Sequence, residues 1–220
     1  EESMGVVIAV VSGKGGTGKT SLVGGLGASL AALDKRVLCL DMDLGLKNLD
    51  ITLGMTDETV MDFTDVTSRK YSLKQSAAEH PEIPGLYLLT SPLSVRPSEV
   101  DKRAFETMLK KIRRKFHYCL IDAPAGLGDG FELAAKYADM AIVTATIDLA
   151  SQRGAGLARQ ALERLGVKKS YMVVNRAVPK MMAKTGLNID DMMDTVGLPL
   201  LGVVPEDSAI FEAASSGTSI

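Results

Sequence analysis

The segment Gly13–Thr20 reads GKGGTGKT and satisfies the spacing G-x-x-x-x-G-K-[ST]. It follows the apolar run Val6–Val11 and precedes a helical pattern over residues 19–33. Loops of this kind between a strand and a helix wrap phosphate groups, because glycines let successive backbone N–H groups point at phosphate oxygens. Lys19 suits the β- and γ-phosphates, and the Thr20 hydroxyl suits a magnesium ion. The segment therefore predicts a site for a nucleoside triphosphate.

A dinucleotide site is the alternative interpretation of the same loop. The loop also contains Gly13-x-Gly15-x-x-Gly18, and Asp41 ends the second apolar run, an acidic residue at about the spacing found in dinucleotide-binding folds. A dinucleotide site has no need for a lysine and a hydroxyl at the start of the helix, whereas a triphosphate with magnesium uses both. We therefore favour the triphosphate. The predicted nucleotide-binding residues of the loop are Gly13, Gly15, Gly16, Thr17, Gly18, Lys19, Thr20 and Ser21.

Short apolar runs alternate with segments of helical periodicity along the 220 residues. The runs are Val6–Val11, Arg36–Leu40, Gly85–Leu89, Tyr118–Ile121, Ala141–Ala145, Tyr171–Val174 and Leu200–Val204. Helices are predicted over residues 19–33, 98–115, 129–137, 149–165, 188–196 and 206–215, with short helices between 54 and 84. Strands without polar alternation are buried on both faces. The pattern predicts an α/β fold, a P-loop NTPase with a mostly parallel sheet flanked by helices on both faces.

We expect residues 1–220 to form a single domain, because no linker or repeat divides them. Glu1–Ser3 are expected to be an added remnant, with the native chain starting at Met4.

Composition argues against several classes of function. The net charge is −2, with 25 basic and 27 acidic residues, which disfavours nucleic-acid binding by the whole surface. The basic run Lys110–Lys115 ends a predicted helix and is interpreted as a solvated face. Cys39 and Cys119 lie inside apolar runs and are expected to be reduced core thiols. No apolar run reaches the roughly 18 residues that a bilayer span requires.

Carboxylates follow two of the predicted strands. Asp41 and Asp43 come at the end of the second run, and Asp122 directly follows Tyr118–Ile121. The carboxyl ends of strands in such sheets are where ligands bind. Asp43 and Asp122 are therefore candidates to hold magnesium and place a water molecule. If the chain stays extended here, the side chains of Asp41 and Asp43 point to the same face, since alternate residues of a strand do so. Alternatively, Asp41 could orient the loop.

These motifs together resemble the deviant Walker A ATPases, which include the MinD and ParA proteins. Lys14 completes the signature K-G-G-x-G-K-[ST], and the tract Asp41–Asp50, DMDLGLKNLD, is similar to the MinD form D-x-D-x-G-L-[RK]-N-L-D. Asp122–Gly126 is similar to the family's switch II. The segments at Asn175-Arg176 and Val204–Asp207 are similar to those that surround adenine. The resemblance runs in family order from Gly5 to Asp207.

The resemblance implies an ATPase that uses ATP and Mg²⁺ and forms a homodimer around the nucleotide. Lys14 would act across the dimer on the partner's phosphates, a cationic role that suits charge on a transferring phosphoryl group. The implied catalytic residues are Lys14, Lys19 and Asp43, and the implied metal site comprises Thr20, Asp43 and Asp122. The implied base site comprises Asn175 and Asp207 on the adenine edge, Pro205 against the base, and Arg176.

The resemblance also implies a spatial regulator of cell-division site placement, with MinE- and MinC-like partners. It implies a cytoplasmic location at the inner face of the cell membrane, and DNA is not an expected partner. The alternatives are a ParA-like DNA-segregation or flagellar-placement ATPase and, less favoured, an iron–sulfur carrier ATPase. An iron–sulfur carrier would need paired cysteines at the dimer face.

Two features depart from the MinD pattern. The sequence stops at Ile220 without the amphipathic membrane helix that typically ends these proteins, so membrane binding is expected if such a helix follows. In the predicted partner-binding helix, Arg153-Gly154 stands where the family often has an Arg-Asp pair.

Overall fold

In a computed structural model, which describes residues 4–44, 46–58, 60–210 and 212, the chain forms an eight-stranded sheet. The strands are β1 Val6–Val11, β2 Val37–Asp41, β3 Ala78–Glu79, β4 Leu86–Leu89, β5 Tyr118–Asp122, β6 Met140–Ala145, β7 Ser170–Ala177 and β8 Leu200–Pro205. Their order is β3-β4-β2-β5-β1-β6-β7-β8. Neighbours are parallel except β3, which pairs antiparallel with β4.

Helices cover both faces of the sheet. They are α1 Lys19–Ala31, α2 Leu49–Thr52, α3 Phe63–Thr67, α4 Leu73–Ser76, α5 Lys102–Arg113, α6 Asp129–Ala135, α7 Leu149–Arg164, α8 Pro179–Thr185 and α9 Ile189–Val196. One apolar cluster joins the sheet to α1 and α2, through side chains such as Val23 and Leu49. The other joins it to α3–α7 and α9, through side chains such as Phe105 and Phe131. The predicted fold class, a mostly parallel sheet between two helical layers, is confirmed.

The central strands are buried because helices lie on both sides of them. All five residues of β2 are buried, as are five of the six in β1. The free thiols of Cys39, in β2, and Cys119, in β5, are both buried. In the described part of the chain, no helix is both long and apolar enough to cross a bilayer.

Some predicted elements differ from the structure. The helix predicted from residue 98 begins at Lys102, because Pro97–Glu99 form a separate 3₁₀ turn. The Asp101 side chain caps α5 by accepting the N–H groups of Arg103 and Ala104. Neither β3 nor α8 was predicted, since each is short and lacks a clear period. Within the helix predicted over 206–215, residues 208–210 and 212 are helical, whereas residues 211 and 213–215, like Glu1–Ser3, lie outside the described residues.

The strand order places the acidic strand ends beside the glycine loop. β5 lies between β2 and β1, with Asp122 in register with both Asp41 and Val10. The loop Gly13–Thr20 leaves β1 at the same edge of the sheet, since all three strands are parallel. After β5 the chain passes through α6 to β6, which lies on the other side of β1. The order in which strands are added to the sheet therefore reverses between β5 and β1. Ligand sites in such sheets lie at this kind of switch point.

Candidate nucleotide-binding site

The glycines of the phosphate loop are required by its backbone. Gly18, the N-cap of α1, has a φ of 84°, and Gly16 has a φ of 76°. Both lie in the left-handed region, which side chains other than glycine adopt at a cost. A Cβ at Gly18 would also lie 2.1 Å from Asn175 Nδ2. The loop thus folds so that the positive end of the 13-residue helix α1 faces the site.

Lys19 is held inside the loop. Its side chain is buried, and its Nζ donates to Ser12 Oγ at 2.9 Å. The Ser12 hydroxyl in turn donates to the Lys14 carbonyl at 2.7 Å. Burial lowers the pKa of Lys19, while the nearby charges of Asp122 and Asp43 raise it. The ammonium therefore lies beside the carboxylates and is available to a bound phosphate.

Asp122 presents an unsatisfied oxygen to the site. The residue is 1% exposed, and its Oδ1 has no hydrogen-bond partner among the described residues. Burial raises the pKa of Asp122 to about 7, against the opposing effect of a hydrogen bond with Thr20. A buried oxygen without a partner costs free energy unless a ligand satisfies it. Carboxylate and hydroxyl oxygens are ligands that Mg²⁺ prefers, so Asp122 and Thr20 fit a magnesium ion.

Asp41 and Asp43 have different surroundings. Asp41 is fully buried and accepts the N–H groups of Asp43 at 2.8 Å and Leu49 at 3.2 Å. Both of its oxygens are thus occupied in shaping the segment between β2 and α2, and burial raises its pKa to about 6. Asp43 is partly exposed, and burial raises its pKa while Lys19 lowers it. The structure therefore supports the loop-orienting role for Asp41.

Lys14 lies at the outer edge of the loop. Its Nζ is 3.3 Å from Asp148 Oδ1, and both side chains are about half exposed, at 49% and 48%. Asp148 is the N-cap of α7 and accepts the Ser151 N–H at 3.0 Å and the Thr146 hydroxyl at 2.5 Å. Burial alone would raise the pKa of Asp148, but these hydrogen bonds and Lys14 lower it overall. Lys14 is therefore paired within its own chain.

A cavity of about 700 Å³ adjoins the glycine loop. It is lined by Gly16, Gly18, Ser21, Asn175, Arg176, Pro205, Glu206, Asp207, Ser208 and Ile210. The four residues predicted for the base site, which come from two distant segments, thus meet three residues of the loop. Asn175 Nδ2 donates to the Thr17 carbonyl at 2.9 Å, so Asn175 also holds the loop. That the four base-site residues contact adenine stays a prediction.

Four residues of the site were missed at the sequence level. Ser12, Asp148 and Glu206 contact Lys19, Lys14 and Arg176 respectively, the last through a 2.9 Å ion pair. Gly154 packs against the loop, since a Cβ on Gly13 would lie 2.0 Å from the Gly154 carbonyl oxygen. Asp148 could have been found as an acidic N-cap before a helical pattern. The others form contacts that no local pattern reveals.

Comparison with known proteins agrees with this geometry. Residues 8–220 match the model of the CobQ/CobB/MinD/ParA nucleotide binding domain. The septum site-determining protein MinD of Thermotoga maritima is 34% identical over 220 residues, which cover 99% of this chain and 81% of that protein.

Solved structures give the same result. The MinC:MinD cell division complex of Aquifex aeolicus aligns with a TM-score of 0.88 at 29% identity, covering 97% of this chain and 86% of that one. MinD of Pyrococcus horikoshii, complexed with Mg-ADP, aligns with a TM-score of 0.85 at 27% identity, covering 98% of this chain and 87% of that one. The chain belongs to the MinD family of septum site-determining proteins, within the MinD/ParA nucleotide-binding superfamily.

Proposed function

We propose that this protein is a MinD-like spatial regulator that binds ATP with Mg²⁺, dimerises on it and hydrolyses it. The observation that carries the proposal is the buried Oδ1 of Asp122, which has no hydrogen-bond partner in the described part of the chain and lies beside Lys19 and the glycine loop. A cation ligated through oxygen would satisfy that atom. The adjoining cavity, with Asn175 and Pro205 in its wall, is large enough for a nucleoside. The Mg-ADP complex of the Pyrococcus relative supports the same assignment.

Each residue contributes in a distinct way. Backbone N–H groups of the loop and the N-terminus of α1 orient the phosphates. Lys19 neutralises charge on the β- and γ-phosphates, while Thr20 and Asp122 would hold the magnesium ion. When bound, the ion neutralises negative charge as the γ-phosphoryl group is transferred. Asp43 lies near Lys19, and its raised pKa makes the carboxylate a better base for positioning an attacking water.

Dimerisation is proposed to occur at the mouth of the site. Three large apolar side chains are exposed in segments that lead away from it: Leu46 at 67%, Leu127 at 38% and Leu149 at 70%. Leu46 and Leu127 follow Asp43 and Asp122 in sequence, so ordering of these carboxylates by magnesium and γ-phosphate would also order the apolar surface. A second copy of the chain would cover them, and Lys14 would then reach the partner's phosphates.

Partner and membrane binding complete the proposal. The MinC:MinD complex of the Aquifex relative supports a MinC-like effector, and the resemblance to MinD adds a MinE-like activator. We place the protein in the cytoplasm, peripheral to the inner face of the membrane, as the resemblance to MinD implies. Hydrolysis would then release the dimer from the membrane.

Phosphate release with MgATP tests the catalytic part of this proposal. We expect slow turnover that a Lys19→Ala substitution abolishes, because the phosphates lose their buried counter-charge. The matched control is Lys74→Ala, which removes an exposed lysine of α4 and is expected to keep the original rate. Undiminished turnover in Lys19→Ala would remove the proposal.

A further inference from the structure

His80 is a buried histidine, 5% exposed, that directly follows β3. Its backbone N–H donates to the Leu86 carbonyl of β4 at 2.8 Å, which fixes the residue to the edge of the sheet. The ring Nδ1 accepts the N–H groups of Glu82 at 3.0 Å and Ile83 at 3.1 Å. Because Nδ1 faces two donors, the proton of the neutral ring lies on Nε2.

The other ring nitrogen of His80 makes a long-range contact. Nε2 lies 3.0 Å from the carbonyl oxygen of Leu53, which is 27 positions away in sequence, and donates its proton to it. Leu53 is the C-cap of α2. The last carbonyls of a helix have no partner within it, and a histidine donor can satisfy one of them. His80 therefore joins the edge of the sheet to the end of α2.

Helix α2 depends on contacts at its two ends. It comprises only the four residues Leu49–Thr52, and a single helical turn is not stable alone. Asp41 holds its start by accepting the Leu49 N–H at 3.2 Å, and His80 holds its end. Between the ends, Leu49 and Leu53 pack into the apolar cluster beneath α1. Two buried polar side chains from different strands of the sheet thus fix the position of this turn.

The chain between β2 and α2 carries Asp43. The Asp43 N–H donates to Asp41 at 2.8 Å, and its carbonyl accepts the Ser91 hydroxyl at 3.3 Å. The far end of this segment is the first turn of α2, so a displacement of α2 would be passed to the segment. The three acceptors and donors of the His80 ring lie outside the phosphate loop Gly13–Thr20. Loss of the contact with Leu53 would therefore affect Asp43 and spare the loop.

We propose that His80 is a positioning residue for ATP hydrolysis, which fixes the end of α2 and, through α2, the carboxylate of Asp43. The inference rests on the proposed function, in which Asp43 positions the attacking water. Small displacements of a group that positions a reactant lower the rate of the chemical step strongly. The expected signature is a lower kcat with an unchanged KM for ATP, because the phosphates are bound by another segment.

Two substitutions of His80 separate the two sides of its ring. The Oδ1 of asparagine can lie where Nδ1 lies in histidine, so His80→Asn keeps an acceptor for the N–H groups of Glu82 and Ile83 but loses the donor to Leu53. The amide nitrogen of glutamine can lie where Nε2 lies, so His80→Gln keeps that donor and loses the acceptor. Both variants lose hydrogen bonds, and a merely structural role predicts similar effects for both. The proposal predicts an effect of His80→Asn alone.

Hydrogen–deuterium exchange of the nucleotide-free protein measures the anchoring of α2. Peptides that cover Leu49–Thr52 are expected to exchange roughly fivefold faster in His80→Asn and at the original rate in His80→Gln, as loss of about one net hydrogen bond implies. Peptides from β1 are expected to keep their protection in both variants, which shows that the fold is retained. In steady-state hydrolysis of MgATP, His80→Asn is expected to lower kcat roughly fivefold, with KM within about twofold of the original value.

His117→Asn is the matched control, since it changes the second histidine of the chain in the same way. His117 is exposed, and its Nδ1 accepts the Arg36 N–H at 2.8 Å, before the start of β2 and away from α2. It is expected to leave both measurements unchanged. Equal exchange of α2 in the original chain and His80→Asn would overturn the proposal, as would faster exchange with an unchanged kcat. Equal effects of His80→Asn and His80→Gln would also overturn it.

The two measurements distinguish this proposal from the proposed function. Absence of ATP hydrolysis by the original chain would count against the proposed function. Exchange is measured without nucleotide, so it would still decide whether His80 anchors α2.

Discussion

Lys14 Nζ lies 3.3 Å from Asp148 Oδ1, joining the phosphate loop to the first turn of α7. Asp148 is fixed by hydrogen bonds from Thr146 and Ser151, whereas the lysine can rotate away. The proposed dimer needs Lys14 on the partner's phosphates, so this pair competes with dimerisation. Because both side chains are half exposed, the pair is weak and can be broken by a stronger anion.

An Asp148→Asn substitution is expected to favour the ATP-bound dimer. Asparagine still caps a helix N-terminus, so α7 is retained while the charge that holds Lys14 is lost. Each dimer contains two of these exposed ion pairs, one per chain, and each pair is worth about 0.5 kcal/mol. Without them, the affinity of one chain for the other is expected to rise roughly fivefold. Light scattering with ATP in an Asp43→Ala background, chosen to prevent hydrolysis, measures this. The paired variant Lys14→Ala is expected to stay monomeric with ATP, and dimers formed by it would contradict the role of Lys14.

Gly154→Ala is expected to weaken ATP binding. The new Cβ would lie 3.3 Å from the Gly13 carbonyl carbon and 3.5 Å from its Cα, tight enough to displace the start of the loop. Gly156→Ala is the matched control on the same helix, because nothing lies within 4 Å of its Cβ position. Both changes replace glycine by alanine within α7, and each stabilises the helix by up to about 1 kcal/mol. Calorimetry is expected to show a severalfold loss of ATP affinity for Gly154→Ala alone, and equal affinities would show that the loop tolerates the contact.

Asn175→Ala tests the hydrogen bond that holds the loop from β7. Removing the donor to the Thr17 carbonyl is expected to weaken ATP binding by roughly five- to tenfold, corresponding to about one net hydrogen bond. Asn188→Ala, which removes the N-cap of α9, serves as a control that lowers stability without touching the site. If both variants bound ATP as the original chain does, Asn175 would have no part in loop order.

Asp122→Asn is expected to raise the stability of the nucleotide-free protein and to weaken binding of ATP with magnesium. Burial raises the pKa of Asp122 to about 7, whereas an unfolded aspartate has a pKa near 4. Between these values the folded protein retains a proton that the unfolded chain releases, so the free energy of unfolding falls as pH rises. The variant lacks this loss and is expected to be more stable at pH 8 by roughly 4 kcal/mol, since the two pKa values differ by about 3 and each unit corresponds to about 1.4 kcal/mol.

Thermal unfolding of the nucleotide-free protein at pH 5 and pH 8 measures the effect. The exposed substitution Asp57→Asn is the control and is expected to leave the difference between the two pH values unchanged. If Asp122→Asn kept the full difference in stability between pH 5 and pH 8, that difference would come from another titrating group.

The parts of the site that the sequence predicted are those encoded locally. The glycine spacing, Lys19 and Thr20 lie within one strand–loop–helix unit, where the chemistry of phosphate binding dictates the residues. Asp122 was found because polar residues at strand ends gather at one edge of a parallel sheet. Asn175 and Asp207 came from the resemblance to a family, since nothing in their own segments specifies a ligand.

The parts that were missed depend on long-range packing. Lys14 and Asp148 are 134 positions apart, and Asn175 and Thr17 are 158 apart, so their contacts follow from strand order rather than from any local pattern. The start of α5 was placed too early because Pro97 and Glu99 are both good first-turn residues. The side chain of Asp101 decides the boundary instead, by capping the N–H groups that follow it.

Isothermal titration calorimetry of the chain with ATP, in the presence and absence of Mg²⁺, tests the central proposal most directly. We expect one nucleotide per chain, with affinity that falls when magnesium is removed and is lost in Lys19→Ala. Absence of binding heat over a range of temperatures, with magnesium present, would contradict the assignment of this loop as an ATP site.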